Sequence, residues 1–538
     1  MSEPLLSMTN FVAEGYQDGQ WKRIVDAASF SLNKGEVLGL IGESGAGKST
    51  LGIAAMGHVR AGCRIAGGSI IFDGIDLIKA PEKQLRELRG SRIAYVAQSA
   101  AASFNPAHTI MQQVVEAPVV HGVMDLKSAE IKAKDLFKIL QLPKPETFGN
   151  RYPHQVSGGQ LQRAMVAMAM ACSPDLIIFD EPTTALDVTT QIEVLGAIRA
   201  AIQAYNSAAL YITHDLAVVS QIADRIMVLR HGREVETGEA RQIIQNPKEE
   251  YTRALVSVHH GTAPKLVGLE QTANILDLKN LSASYGVGVK VLDDVSISIP
   301  KGRTVALVGE SGSGKSTVAR VIAGLLLANQ GEIVFDGQSL TQSYKDRPDD
   351  ILRRIQMIYQ MPDVALNPRM KIRDVIGRPL EFYFDMAADA KERRVSELLL
   401  QIGLSDKYLD RYPSELSGGE KQRICIARAL AAEPDIIVCD EITSALDPLV
   451  AEGILKLLQN LQDNLKVSYL FITHDLATVK AISDEIVVMH RGRVVEQGTR
   501  AQVLSPPHHS YTKLLLSSVP EMSPDWLTGV LRDRAAGG

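Results

Sequence analysis

The sequence predicts an α/β fold class: two similar domains in tandem, each built on a mostly parallel sheet and each carrying a helical subdomain. Three observations predict it. A long internal repeat divides the chain, apolar runs stop abruptly at polar landmarks, and helical periodicity takes over between two of those landmarks.

The segment Gly42-Glu-Ser-Gly-Ala-Gly-Lys-Ser-Thr50 returns 267 residues later as Gly309-Glu-Ser-Gly-Ser-Gly-Lys-Ser-Thr317. Gln98 matches Gln360 at a spacing of 262, and Ser157/Ser417, Asp180/Asp440, His214/His474 and Tyr251/Tyr511 all match at 260. The length changes fall between motifs, so the halves are duplicated domains whose landmarks stay in register. The stretch from His259 to Ala273 is polar, contains Gly and Pro, and precedes a fresh hydrophobic start at Ile275. It is the expected linker, with domains over 1–258 and 274–538.

Within the first half, apolar runs end at each landmark: Val37 to Ile41 before Gly42, Ile93 to Ala97 before Gln98, Leu176 to Phe179 before Asp180, and Leu210 to Thr213 before His214. Such continuous runs are expected to be buried parallel strands. The second half repeats them before Gly309, Gln360, Asp440 and His474. All four landmarks then sit at carboxyl ends of strands, where open α/β sheets bind ligands. Between the Gln and Asp landmarks, Val395, Leu398, Leu399 and Ile402 follow helical spacing, which predicts a helical subdomain.

Composition bounds the function. Of 538 residues, 45% are hydrophobic and 22% charged, which excludes a disordered or fibrous chain. The net charge of -5 supplies no global basic field for nucleic acid or an anionic membrane, so no nucleic-acid partner is expected. Four cysteines without a CxxC pair give no disulfide or zinc framework. Met1 to Phe11 lacks the basic region and apolar core of a secretory signal, so none is expected. The most apolar stretch, Ala164 to Cys172, is about half the roughly 20 residues needed to span a bilayer. Any membrane contact is therefore expected to come through a partner.

The spacing GxxxxGK[ST] after a strand is that of a phosphate-binding loop. Glycines let backbone N–H groups and the following helix N-terminus face an anion. Lys48 and Lys315 are expected to reach the β and γ phosphates, with Ser49 and Ser316 on Mg2+. Gly42, Ser44, Gly45, Gly47 and Thr50 complete the first cradle, and Gly309, Ser311, Gly312, Gly314 and Thr317 the second. Asp180-Glu181 and Asp440-Glu441 end strongly apolar runs with no cation nearby in sequence, which is costly unless metal or proton chemistry uses them. Each Asp is assigned to Mg2+ and each Glu to the attacking water as general base; a helix-capping carboxylate is the other reading. Val156-Ser-Gly-Gly-Gln160 and Leu416-Ser-Gly-Gly-Glu420 each open a helical stretch. They suit an anion or simply a helix start.

The ordered set of phosphate loop, Gln, Ser-Gly-Gly signature, acidic strand, Ala-Leu-Asp (185–187 and 445–447) and His resembles the ATP-binding cassette family along nearly the whole of both halves. The resemblance implies two P-loop NTPase (RecA-like) cassettes that sandwich two ATP molecules head to tail. One composite site would combine Lys48, Ser49, Gln98, Asp180, Glu181 and His214 with Ser417, Gly418 and Gly419. The other would combine Lys315, Ser316, Gln360, Asp440, Glu441 and His474 with Ser157, Gly158 and Gly159. Gln98 and Gln360 are also implied Mg2+ ligands, His214 and His474 are implied contacts of the γ-phosphate, and Tyr285 is the implied adenine-stacking ring. In the first half Tyr16 is preferred to Trp21 for that role. Val156 stands where the family usually has Leu and Ile442 where it has Pro; both are apolar changes outside the reacting groups. Two competent sites are expected.

Pro247-Lys-Glu-Glu-Tyr-Thr-Arg-Ala-Leu255 and Pro507-His-His-Ser-Tyr-Thr-Lys-Leu-Leu515 resemble the tail after the cassette in importers of the oligopeptide, dipeptide and nickel class, as do Arg151-Tyr-Pro-His and Arg411-Tyr-Pro-Ser. The resemblance implies an ATPase subunit at the cytoplasmic face of a bacterial inner membrane, with two transmembrane permease subunits and an extracytoplasmic substrate-binding protein as partners. Peptides are the expected cargo, with opines, sugar conjugates or nickel as the range in related systems. No iron–sulfur cluster is expected, because no cysteine cluster follows the tail. A ribosome-associated twin-cassette translation factor and the fused ATPase of a monosaccharide importer are the alternatives. The short linker and negative charge weigh against the first, and two intact sites against the second. The segments Ser99 to Thr109 and Met361 to Met370 share an Asn-Pro and are expected to form the groove for a permease helix, with Phe104 and Leu366 as contact residues.

Overall fold

The computed structural model describes every residue except 1, 2, 18, 185, 261–271, 287, 445, 537 and 538. Most of the expected linker, and the alanine of each Ala-Leu-Asp, lie outside the described residues. Two compact units are present: Met1–His259 with Pro520–Gly538, and His260–Val519.

In the first unit ten strands form two sheets: β1 (Leu6–Gln17), β2 (Gln20–Leu32), β3 (Val37–Gly42), β4 (Cys63–Phe72), β5 (Ile75–Asp76), β6 (Ile93–Val96), β7 (Leu176–Asp180), β8 (Ala208–Ile212), β9 (Arg225–Arg230) and β10 (Arg233–Glu239). A four-stranded antiparallel sheet has the order β2-β1-β4-β5, and a six-stranded sheet the order β10-β9-β3-β8-β7-β6. Within the larger sheet β3, β6, β7, β8 and β9 pair in parallel, and only β9 with β10 is antiparallel. Every residue of β3, β7 and β8 is buried, which is why these strands have no alternating polar face. The antiparallel sheet is half-covered, so Leu6, Met8, Phe11 and Ala13 turn inward along β1 between partly or fully exposed neighbours.

The second unit repeats the plan with β11 (Asn274–Tyr285), β12 (Val289–Pro300), β13 (Thr304–Val308), β14 (Gln330–Phe335), β15 (Gln338–Ser339), β16 (Ile355–Ile358), β17 (Ile436–Asp440), β18 (Ser468–Ile472), β19 (Glu485–His490) and β20 (Arg493–Thr499). Its sheets run β12-β11-β14-β15 and β16-β17-β18-β13-β19-β20. The helical subdomain forms where the periodicity predicts it. Val395, Leu398 and Leu399 on the helix Ala388–Gln401, with Ile402 at its C-cap, join a buried cluster with Ile372, Ile376, Leu380 and Ile424. The apolar stretch from Ala164 lies mostly in a buried signature helix, Gly158–Met170, and no helix among the described residues is long and apolar enough to cross a membrane.

The chain's last segment departs from the expected domain limits. Residues 520–536, placed by sequence order in the second domain, pack with the first unit. The Gln221 side chain donates to the carbonyls of Glu521 (2.6 Å) and Ser523 (2.9 Å) and accepts the Leu527 N–H (3.0 Å). Leu527 is fully buried, and Leu531 lies so close to Gly196 that a Cβ there would meet its methyls at 3.0 Å. One side chain satisfying three backbone groups, together with a glycine that admits a leucine, holds the segment.

Candidate functional site

Each phosphate loop bridges the carboxyl end of a central strand and a helix: β3 to Lys48–Ala54, and β13 to Lys315–Ile322. Glycine is required here. Gly47 (φ 93°) and Gly314 (φ 106°) are left-handed, and a Cβ on Gly42 would come within 2.1 Å of the Leu229 carbonyl oxygen. The lysines are buried and folded back onto the loop. Lys48 Nζ donates to the carbonyls of Gly42 (2.7 Å) and Glu43 (2.9 Å), and Lys315 Nζ to those of Gly309 (2.8 Å) and Glu310 (2.8 Å).

The remaining landmarks converge on the same strand ends within each unit. Ser49 Oγ donates to Asp180 Oδ1 at 2.8 Å, and Ser316 Oγ to Asp440 Oδ1 at 3.0 Å. Gln98 Nε2 donates to Glu181 Oε2 at 3.2 Å, and Gln360 Nε2 to Glu441 Oε2 at 2.7 Å. His214 Nδ1 lies 3.3 Å from Glu181 Oε1, and His474 Nδ1 3.4 Å from Glu441 Oε1. Glu181 and Glu441 both have φ of 51°, an uncommon left-handed conformation for a non-glycine residue that costs on the order of 1–3 kcal/mol. The turn directs each carboxylate to its Gln and His immediately after the strand ends.

In each Glu–His pair the partners favour one another's charged form. Burial alone would raise the glutamates, but the histidine, with Lys48 or Lys315 behind it, overcomes this and holds both carboxyls below their usual range. Burial alone would lower the histidines, and the facing glutamate outweighs it to hold both above their ordinary value. An ionised glutamate is the form a general base needs. The pair's contribution to stability is therefore fully present between the ordinary Glu and ordinary His pKa values, and is lost as pH falls through the lowered Glu pKa or rises through the raised His pKa. Glu181→Gln should drop the His214 pKa, because burial and Lys48 then act with less opposition. A pH titration of the imidazole by NMR checks this, and an unchanged midpoint would show that Glu181 does not set it.

The two acidic strands differ. Asp180 accepts a second hydrogen bond, from the Tyr95 hydroxyl at 2.6 Å, and Tyr95 has its pKa raised by burial and by Asp180. The corresponding residue of the second unit is Met357. Asp440 is instead pushed up, first by burial and then by the Glu441 charge, despite its hydrogen bond from Ser316. A buried carboxylate facing a second carboxylate and a serine oxygen is a hard-oxygen set suited to Mg2+. Sequence reasoning missed Tyr95, whose only signal is its place on the strand that ends at Gln98. It also missed Thr184, which donates to Glu181 Oε2 at 3.1 Å.

The signature serines do not join these networks among the described residues. Ser157 and Ser417 cap the helices Gly158–Met170 and Gly418–Leu430 in reciprocal capping boxes with Gln160 and Glu420. Their two glycines separate by role. A Cβ on Gly159 would lie 2.1 Å from Thr190 Cγ2 and one on Gly419 2.4 Å from Val450 Cγ1, so packing requires them. Gly158 faces open space and Gly418 meets nothing closer than 3.7 Å, leaving their backbone accessible to a ligand.

Tyr16 and Tyr285 occupy equivalent places at the ends of β1 and β11, where they pair with Trp21 and Val289. Tyr16 is 59% exposed, whereas the Arg64 guanidinium covers the Trp21 ring at 4.2 Å. The Tyr285 hydroxyl lies 3.4 Å from Thr317 Oγ1 and accepts from Arg320 at 3.0 Å, tying this ring to the phosphate-loop helix.

A family model described as ABC transporter matches residues 25–184 and 292–444, and one described as oligopeptide/dipeptide transporter, C-terminal region, matches 235–277 and 495–536. Similar curated proteins include the glutathione import ATP-binding protein GsiA of Shigella dysenteriae, 37% identical over 97% of this chain and 90% of the relative. The protein of the same name from Escherichia coli strain K12 is likewise 37% identical, with the same coverage of both chains. Among solved structures, cbiO1 of Clostridium perfringens, part of the ABC transporter complex cbiONQ, is similar at 31% identity and a TM-score of 0.40. That match covers 43% of this chain and 90% of the other.

Proposed function

Because this chain belongs to the ATP-binding cassette transporter family, we propose that its two nucleotide sites power uptake of peptides or peptide-like solutes through two transmembrane permease subunits. By its cassettes and tails it is an ATP-hydrolysing importer subunit of the oligopeptide/dipeptide class. The observation that carries the reading is the conjunction, in both halves, of an intact Lys, Ser, Gln, Asp-Glu and His set with that class's tail. Glutathione, a small peptide, is the solute named for the relatives, and we place the cargo of this chain in the same class.

In the proposed cycle each ATP lies between the phosphate loop of one half and the signature of the other. Lys48 and Lys315 leave their loop carbonyls to meet β and γ phosphates. Ser49 with Asp180, and Ser316 with Asp440, would hold Mg2+, helped by Gln98 and Gln360; the ion supplies charge neutralisation on the phosphates. Glu181 and Glu441 orient and deprotonate water, while His214 and His474, whose protonated form the facing glutamates favour, face the γ-phosphate. Ser417 with Gly418, and Ser157 with Gly158, donate to the same phosphate from across the sandwich, as a trans-acting arginine does elsewhere. Tyr16 and Tyr285 present their exposed rings to adenine.

We place the permease groove on the segments after Gln98 and Gln360, with one change of residues. Phe104 and Leu366 are 4% and 2% exposed, so they support the subdomain and are not contact residues. The large apolar side chains on the surface there are Met361 (56%) and Val364 (81%), beside the Asn367-Pro368 turn. Lys421 binds Asp363 at 2.6 Å and Arg428 donates to the Ala365 carbonyl at 2.6 Å, so this segment is fastened to the signature helix. Force on it is passed to Ser417. Val364→Glu should weaken assembly with the permeases on the order of tenfold or more while leaving ATP binding to the isolated chain unchanged. Wild-type assembly of that variant would move the groove elsewhere.

The reading as a whole is tested by affinity purification of the tagged chain from its own cells in mild detergent. Two membrane permeases should accompany it at the inner membrane; ribosomes in their place would favour the translation-factor alternative.

A further inference from the structure

Each half closes with a short helix, Glu250–His260 and Ser510–Ser517, whose first turn carries a tyrosine that the catalytic scheme leaves unused. Both rings are buried: Tyr251 is 7% exposed and Tyr511 5%. An acidic side chain on the last strand of each larger sheet pins the helix entry. Glu236 accepts the N–H groups of Lys248 (3.0 Å) and Glu249 (3.1 Å), and Glu496 accepts that of His509 (2.9 Å). The rings are clamped from the neighbouring strand by repeat-related residues. His490 stacks on Tyr511 at 4.0 Å, and the Arg230 guanidinium lies 4.6 Å over Tyr251.

The Tyr511 hydroxyl accepts the Glu310 N–H at 2.9 Å. That N–H belongs to the same peptide unit as the Gly309 carbonyl, which accepts Lys315 Nζ at 2.8 Å. One peptide plane at the start of the phosphate loop is thus held on one side by the tail and on the other by the loop lysine. Its rotation would move the lysine's resting contact. In the first half Lys48 makes the same contact to Gly42 at 2.7 Å. There the buried Tyr251 hydroxyl faces the equivalent Glu43 backbone N–H and the Glu43 carboxylate, short of the geometry that Tyr511 attains. Arg230 also lies 3.8 Å from Glu43, a pairing that His490 replaces by stacking in the second half.

We propose that Tyr511 is a positioning residue for ATP binding: its hydroxyl latches the Gly309–Glu310 peptide so that the loop is preset for phosphate, and Tyr251 is the same latch held more loosely in the first half. The tail that marks this importer class then serves the nucleotide site of its own cassette. The two sites enter the cycle with unequal preorganisation, the second bound first.

The proposal rests on the reading of Gly42–Thr50 and Gly309–Thr317 as ATP phosphate loops. Calorimetric titration of the full chain with AMP-PNP and Mg2+ separates the two, because two bound nucleotides per wild-type chain support that reading whatever the variants do. Tyr511→Phe removes one oxygen and keeps the stack on His490. It should weaken one of the two sites by about three- to tenfold, and raise the KM for ATP with kcat changed by less than about twofold. His490→Ala, which loosens the clamp and keeps the hydroxyl, should shift KM in the same direction by a smaller factor. Tyr251→Phe should leave both affinities within about twofold of wild type. A merely structural role for Tyr511 would lower the yield of active protein or kcat without moving KM. That pattern, or unchanged AMP-PNP affinity in Tyr511→Phe, would overturn the proposal.

Discussion

Replacing Glu181 and Glu441 together by glutamine is expected to lower ATP hydrolysis by ~10²- to 10⁴-fold while ATP remains bound. The substitution removes the two ionised carboxylates and leaves both phosphate cradles, Lys48 with Ser49 and Lys315 with Ser316, untouched. A glutamine amide can still accept from Gln98 or Gln360, so the strand ends should keep their geometry. It can no longer take a proton from water. ATP should therefore accumulate on the chain, measurable as nucleotide retained through gel filtration. Turnover at the wild-type rate would show that the base lies elsewhere.

Ser417→Arg is expected to reduce hydrolysis at the site of Lys48 by ~10²-fold or more, because a bulky cation would then replace a hydroxyl proposed to meet the γ-phosphate from the other half. The same change also removes a helix cap, worth about 0.5–2 kcal/mol, so a second variant is needed. Ser417→Asp keeps a capping oxygen and adds a charge that repels phosphate; it should lose activity while the helix Gly418–Leu430 stays folded. In a background without the partly exposed Cys63 and Cys172, cysteines at Ser44 and Ser417 should cross-link when ATP is bound. Cross-linking confined to Ser44 with Ser157 would reverse the proposed pairing.

The strand ends and their polar landmarks were legible because burial on both faces forces continuous apolar runs that end where the chain turns polar. Asp180 and His214 announce themselves in this way. The tail docking was not legible: nothing in 520–536 indicates which unit it joins, since the decision lies with Gln221 and Gly196 some three hundred residues earlier. Tyr95 was hidden because one aromatic residue on an apolar strand looks like core until its hydroxyl is seen on Asp180. Phe104 and Leu366 were misplaced for the opposite reason. An apolar residue in a polar loop can cover the core beneath it as readily as it can await a partner, and burial decides between these. Gly158 and Gly159 are identical in sequence, and only the packing of Thr190 against one of them separates a structural glycine from an available one.

Substrate-stimulated hydrolysis in proteoliposomes tests the central claim most directly. The chain is assembled with the two permeases proposed to accompany it, with the proposed substrate-binding protein and glutathione or short peptides supplied on the opposite side of the membrane. Solute should cross toward the side bearing this chain, ATP hydrolysis should rise when both binding protein and solute are present, and the Glu181→Gln, Glu441→Gln chain should abolish both. Hydrolysis indifferent to binding protein and solute, with no solute movement for any of the peptides, would contradict the account.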